Sequence, residues 1–180
     1  GAVLYYIAMK FDFGSYGTMA IIIGMILILF VYVFGYPKYR AEQVMAAFFG
    51  VVYVAVMLSF IYLTRSLPDG KFLVWLIFLC SWGCDTCAYC SGMLLGKHKL
   101  APVLSPKKSI EGAIGGTLGS AILGLIYAWI FGSRMHGIEE PVIACTAACA
   151  IAAVISQIGD LAASAIKRNH KVKDYGHIIP

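Results

Sequence analysis

The sequence predicts an all-α protein whose helices cross a membrane. Of its 180 residues, 61% are hydrophobic and only 13% are charged, and the mean hydropathy is +0.83. This composition is too apolar for a soluble domain. The apolar residues form long stretches separated by short polar loops, so we expect a polytopic transmembrane helix bundle with about five complete spans and part of another.

The predicted spans follow one another along the whole chain. Residues 1–9 are interpreted as the end of a span, and each complete span that follows is long enough to cross a hydrocarbon core of ~30 Å. The complete spans are predicted at residues 16–35, 41–63, 72–96 and 109–131, and from residue 141 to about residue 168. We assign residues 1–71 to N-terminal membrane helices and residues 72–180 to catalytic membrane helices and cytoplasmic loops.

Loop charge predicts the orientation of the spans. If each span crosses once, the loops on one side lie near residues 38–40, 97–108 and 167–174. The loops on the other side lie near residues 10, 65–71 and 134. The first set holds ten Lys and Arg residues and the second set holds four. Because Lys and Arg are enriched in cytoplasmic loops, we place the first set in the cytoplasm, and three acids in or beside the spans then fall toward that face: Asp85, Glu111 and Asp160.

The last twenty-five residues contain the densest run of ionisable groups beside an apolar stretch. Asp160, Ser164 and Arg168 are spaced by four residues, so a helix places them on one face. More charges follow, at Lys167, Lys171, Lys173 and Asp174. A carboxylate held near a membrane boundary with cations and a hydroxyl suits a metal-bound polyphosphate. The alternative is a positive-inside anchor, although an anchor does not need Asp160.

A second group of polar residues lies between Asp85 and Gly112. Helical spacing places an acid, a phenol and two glycines on one stripe, namely Asp85, Tyr89, Gly92 and Gly96. Lys97 follows this stripe. Glycine pairs spaced by four residues, Gly112 with Gly116 and Gly115 with Gly119, predict close helix packing.

The start of the fourth span has the features of a phosphate site. Ser105 before Pro106 resembles an N-cap followed by proline at the first helical position. A helix N-terminus that carries Lys107 and Lys108 offers backbone N–H groups, a favourable dipole and cationic side chains to a phosphate. Glu111 is in a position to orient these lysines, hold a metal or act as a base. The alternative is a capped helix with cytoplasmic lysines.

Two other signals do not indicate function. Cys84, Cys87 and Cys90 have the spacing with which a ferredoxin-like motif begins, but the expected fourth position holds Leu94 and the run is apolar. We interpret all six cysteines as reduced packing residues. The net charge of +5 is carried by short loops between apolar spans, where membrane topology explains it, so we expect no nucleic acid partner.

The chain resembles the phosphatidate cytidylyltransferases (CDP-diacylglycerol synthases). Ser164 to Pro180, SAIKRNHKVKDYGHIIP, is similar to their signature S-x-x-K-R-x4-K-D-x-G-x-x-I/L-P at every fixed position. Three upstream stretches are also similar: Asp85 to Lys99, Ser105 to Gly112, and Q-x-G-D around Asp160. The glycine-rich turn and Asp-Arg-x-Asp run that continue the family signature are absent. We therefore expect a piece of a longer protein that is inactive on its own.

The resemblance implies the formation of CDP-diacylglycerol and pyrophosphate from CTP and phosphatidate, with Mg²⁺ required and a second cation as an option. It assigns Asp160 to the metal, Asp174 to the metal or to the orientation of Lys173, and Lys167, Arg168 and Lys173 to the triphosphate or the lipid phosphate. The residues expected to complete the substrate site are Asp85, Tyr89, Lys97, Ser105, Lys107, Lys108, Ser109, Glu111, Gly112 and Ser164.

The expected setting is a bacterial plasma membrane, with the active site facing the cytoplasm and a homodimer as one expected assembly. Two alternatives stay open at this point. One is another CTP-dependent lipid enzyme, such as a CDP-archaeol synthase or a polyprenol kinase. The other is an ion-coupled transporter that uses the intramembrane acids as a relay.

Overall fold

A computed structural model describes residues 3, 5–7 and 16–170 of the chain. Among these residues, five helical segments are long and apolar enough to cross a membrane. They run over Gly17–Phe34, Ala41–Ser66, Gly70–Leu95, Ile110–Arg134 and Pro141–Asn169. The predicted fold class, an all-α transmembrane helix bundle, is confirmed, and each of the five complete spans begins and ends within a few residues of its predicted bounds. The end of the partial span predicted at residues 1–9 lies outside the described residues.

The chain divides into two compact units, Gly1–Ser66 and Leu67–Pro180. In the first unit, α1 covers Tyr16–Phe34, and a second helical segment consists of α2 (Ala41–Gly50), a π-helical stretch (Val51–Val56) and α3 (Met57–Ser66). The Ser59 hydroxyl is fully buried and donates to the carbonyl of Val56 at 2.6 Å. This bond satisfies a polar group in an apolar helix.

The second unit contains three long helices and one β hairpin. Its elements are α4 (Gly70–Leu95), β1 (Lys99–Ala101), β2 (Ser105–Ser109), α5 (Ile110–Phe131), a 3₁₀ turn (Gly132–Arg134) and α6 (Pro141–Asn169). The two strands are antiparallel, with Lys99 opposite Ser109 and Ala101 opposite Ser105.

The hairpin corrects the predicted start of the fourth span. Ser105 is not the N-cap, because residues 105–109 are extended and pair with β1. The N-cap is Ser109, whose Oγ accepts a hydrogen bond from the backbone N–H of Gly112 at 3.1 Å. The Ser-Pro pair is compatible with a strand start as well as with a helix start, and tertiary pairing decides between them.

Glycines on α5 let that helix approach α4 closely. A Cβ on Gly116 would lie 2.8 Å from Ala88 Cβ and 2.9 Å from Cys84 O, and one on Gly112 would lie 2.9 Å from Ala88 O. Distances below 3 Å are too short for a side chain with backbone as its neighbour, so these positions need glycine. The predicted packing role of the glycine pairs is confirmed.

The end of this unit that is remote from the hairpin is a closed apolar core. Its buried residues are Leu76, Cys80, Ala128, Met135, Cys145 and Cys149. All six cysteines of the chain are free thiols, and Cys145 and Cys149 are each only 1% exposed. These two residues are packing residues, as predicted. Ser120 Oγ hydrogen bonds to Cys149 O at 3.2 Å and so links α5 to α6 within the apolar interior.

Candidate functional site

A cavity of about 330 Å³ lies at the hairpin end of the second unit. Six of the predicted substrate-binding residues line it: Asp85, Tyr89, Lys107, Lys108, Ser109 and Gly112. The lining also includes apolar side chains, among them Met93 and Leu100. The cavity therefore combines cationic, acidic, hydroxyl and apolar groups in one place.

Helix topology explains why residues distant in sequence meet here. Gly112 packs beside Gly92 and Gly116 beside Cys84, so α4 and α5 are antiparallel neighbours. The side chain of Gln157 reaches Ala113 O at 3.1 Å, which places the second half of α6 beside the start of α5. One end of the unit consequently brings together the end of α4, the hairpin, the start of α5 and the later part of α6.

An ion pair joins the cavity to α6. Lys108 Nζ contacts Asp160 Oδ2, and the two side chains are 29% and 55% exposed. A partly exposed pair of this kind contributes only ~0–1 kcal/mol to stability. An ion pair this weak can be replaced by an interaction of either partner with another ion.

The N-terminus of α5 opens toward the same cavity. Ser109, Gly112 and Ala113 from this first turn belong to the lining, together with Lys107 and Lys108 from β2. The positive end of the helix dipole and the two ammonium groups act in the same direction, and both favour an anion. Asp85 contributes a carboxylate from α4.

Comparison with known proteins agrees with this chemistry. A family model described as the cytidylyltransferase family matches residues 2–180. The chain belongs to the cytidylyltransferase family. It is 38% identical over 145 residues to a phosphatidate cytidylyltransferase of Staphylococcus haemolyticus, covering 79% of this chain and 53% of that protein. Proteins of the same name from Staphylococcus aureus and Staphylococcus epidermidis are 39% and 37% identical over the same shares of each chain. The chain thus spans about half the length of the curated relatives it matches.

Several predicted site residues of this chain lie outside the cavity lining. Ser164 and Lys167 are half-buried and Arg168 is exposed, on α6 after Asp160. Among the described residues, the lining also omits Lys97, Ser105 and Glu111. Lys173 and Asp174 lie outside the described residues. The roles of these residues stay predictions.

Glu111 has a different partner from the one expected. It was predicted to act beside Lys107 and Lys108, yet its Oε1 lies 2.6 Å from His98 Nδ1. Its Oε2 accepts the backbone N–H of Lys97 at 3.1 Å. Because residues 107 and 108 belong to a strand and not to the first turn of α5, their proximity in sequence does not bring them to the Glu111 carboxylate.

Gln157 lines the cavity and was not predicted as a site residue. Its Nε2 donates to Ala113 O at 3.1 Å and to Thr117 Oγ1 at 3.2 Å, and it also contacts Cys84 Sγ at 3.2 Å. One amide group therefore connects all three helices at the inner end of the cavity. A polar residue inside an apolar helix, one turn before Asp160, is the signal in the sequence that identifies it.

Carboxylates at this site fit a hard cation. Mg²⁺ binds oxygen ligands, usually one or two carboxylates together with waters and substrate phosphates. Asp85 lines the cavity and Asp160 borders it through Lys108. Within the part of the chain that the structure describes, no three His, Cys, Asp or Glu side chains form a closed metal cluster. Two carboxylates are within the number that Mg²⁺ usually takes from a protein.

Proposed function

We propose that this chain forms part of an integral membrane phosphatidate cytidylyltransferase, which makes CDP-diacylglycerol and pyrophosphate from CTP and phosphatidate. The observation that carries the proposal is the cavity where Lys107, Lys108 and the N-terminus of α5 converge, with Asp160 paired to Lys108. Family membership and relatives named phosphatidate cytidylyltransferase support the same reaction.

The proposed reaction is a transfer at phosphorus. A phosphate oxygen of phosphatidate attacks the α-phosphorus of CTP, the bond from that phosphorus to the bridging oxygen of the β-phosphate breaks, and pyrophosphate leaves with the electron pair. The nucleophile belongs to the lipid, so no side chain needs to become covalently attached. Catalysis then depends on positioning the two phosphates and stabilising the negative charge that grows on the leaving pyrophosphate.

The cationic residues of the site are suited to that task. Lys107 and Lys108 line the cavity, and the α5 N-terminus adds the positive end of its helix dipole. When a phosphate takes Lys108, Asp160 loses its cationic partner and becomes available to a cation. We assign Lys167 and Arg168, two turns beyond Asp160 on α6, to a second phosphate group.

The cation is proposed to be Mg²⁺, held by Asp160 and by Asp174. Bound there, Mg²⁺ supplies neutralisation of triphosphate charge. Asp174, like its neighbour Lys173, is assigned from the family signature. Asp160 is 55% exposed and is thus accessible to an ion that keeps part of its water shell.

The membrane setting suits the two substrates. Apolar helices around the site give a lipid lateral access, and CTP reaches the charged end from water. Loop charge favours the cytoplasm for that end, and the bacterial relatives favour the plasma membrane.

The test is product formation by the complete protein in sealed inside-out vesicles with CTP labelled at the α-phosphate. We expect labelled CDP-diacylglycerol with phosphatidate and at least about tenfold less product with an isoprenoid phosphate of equal chain mass. Sealed right-side-out vesicles should give no product from external CTP. Equal or greater transfer to the isoprenoid phosphate would contradict the proposed substrate, and the absence of transfer to any lipid phosphate would contradict the reaction.

A further inference from the structure

Glu111 holds the segment that follows α4. Its Oε2 accepts the backbone N–H groups of Lys97 at 3.1 Å and of His98 at 3.2 Å. Its Oε1 lies 2.6 Å from His98 Nδ1. The carboxylate therefore satisfies two backbone donors that have just left the helix, as well as one side chain.

These contacts fix the base of the β hairpin. Ile110, the first residue of α5, donates its N–H to His98 O at 2.9 Å, and Lys99 pairs with Ser109 across the strands. Glu111 thus joins the first residues after α4 to the first turn of α5 at the point where β1 and β2 meet.

The two lysines of the cavity lie on the strand that this base supports. Lys107 and Lys108 occupy β2 immediately before Ser109, and both line the cavity. Ser109 is itself confined, because a Cβ on Gly96 would lie 2.9 Å from its Oγ. A shift of the hairpin base would consequently move Lys107 and Lys108 relative to the cavity.

We propose that Glu111 is a positioning residue for phosphate transfer, acting through Lys107 and Lys108 and not by contact with the substrate. This inference rests on the proposed function. The His98 side chain is 75% exposed and the Glu111 side chain 25% exposed. Because His98 is largely exposed, its ion pair with Glu111 contributes little to global stability, and the main effect of losing Glu111 is local, on the two backbone N–H groups that its carboxylate accepts. Small displacements of phosphate-binding groups are costly in rate, by about 100-fold for ~1 Å.

The test compares Glu111→Ala with Glu111→Gln in the complete protein, and uses Glu139→Ala, in the exposed loop at the opposite end of the unit, as the matched control. Hydrogen exchange of residues 97–109 is measured together with kcat and KM for CTP. We expect Glu111→Ala to speed exchange at Lys97 and His98 by at least about tenfold and to lower kcat/KM by about 10-fold to 100-fold. Glu111→Gln keeps an oxygen that accepts the same N–H groups, so it should restore most of both.

A double variant separates positioning from general stability. If Glu111 acts through Lys107 and Lys108, adding Glu111→Ala to Lys108→Met should lower kcat/KM by clearly less than Glu111→Ala lowers it alone, because only Lys107 remains to be displaced. Full additivity of the two losses, or unchanged exchange in Glu111→Ala, would overturn the inference. Exchange is measured without turnover, so a protein that forms no CDP-diacylglycerol yet shows the local change would refute the proposed function and leave the anchoring by Glu111 supported.

Discussion

At each end of the second unit, which contains α4 to α6, a carboxylate accepts a backbone N–H group from another segment. The two ends differ in the residues that surround this hydrogen bond. At the hairpin end, Glu111 accepts the backbone N–H of Lys97 at 3.1 Å. At the opposite end, Asp69 accepts the backbone N–H of Gly137 at 2.7 Å. In both places a carboxylate connects the end of one helix to a segment that lies far away in sequence.

The hairpin end is called the open end because it contains a cavity, and the opposite end is called the closed end because it is filled by an apolar core. Beside Asp69, the connection between α5 and α6 packs on an apolar core in which Met135 is 3% exposed. Beside Glu111 lies a cavity of about 330 Å³ with Lys107 and Lys108 in its lining. An anchoring carboxylate therefore does not by itself mark a functional site. What distinguishes the hairpin end is the cavity and the charged side chains in its lining.

A large effect is expected from replacing one lysine at each of these ends by methionine, as a matched pair. Lys108→Met removes a charge from the cavity, whereas Lys71→Met removes one from the first turn of α4, where the Lys71 ammonium lies 5.0 Å from the centre of the Phe72 ring. We expect Lys108→Met to lower kcat/KM for CDP-diacylglycerol formation by about 100-fold, and Lys71→Met to change it by less than about twofold. Equal losses in the two variants would show that general membrane electrostatics, and not the cavity, sets the rate.

Substitutions of Asp69 at the closed end should have a smaller effect, and that effect should be on the free energy of unfolding. Asp69→Ala removes the bond to Gly137 and places alanine at a φ of 59°, so it should lower the free energy of unfolding by ~1–3 kcal/mol. Asp69→Asn keeps an acceptor and tolerates the left-handed conformation, so it should lower the free energy of unfolding by only a few tenths as much as Asp69→Ala does. Thermal unfolding in detergent measures both. An Asp69→Ala protein with unchanged stability and reduced turnover would contradict the assignment of catalysis to the hairpin end alone.

Much of the fold could be predicted because long apolar runs specify membrane helices regardless of their neighbours. The hairpin could not be predicted in this way. Residues 105–109 become a strand only because the end of α4 brings Lys99 opposite Ser109. Ser105 and Pro106 taken alone also fit a helix start, and so the predicted N-cap was wrong.

The sequence predicted several residues of the cavity lining, but it did not predict which residues contact one another. Charge beside a predicted helix start identified Lys107 and Lys108, the family resemblance implied Ser109, and all three line the cavity. The partner of Glu111 depends on a contact across thirteen residues, to His98, that no local spacing reveals. Gln157 was missed because a single amide in an apolar helix gives no sign of which helices it connects.

If the hairpin end is the catalytic end, a substitution at Asp160 should show it most directly. Asp160→Asn and Asp69→Asn each remove one acidic charge, the first beside Lys108 and the second at the closed end. The measurement is the initial rate of CDP-diacylglycerol formation from labelled CTP and phosphatidate by the complete protein. We predict a loss of about 100-fold or more for Asp160→Asn and of less than about twofold for Asp69→Asn. Full activity in Asp160→Asn would contradict the account.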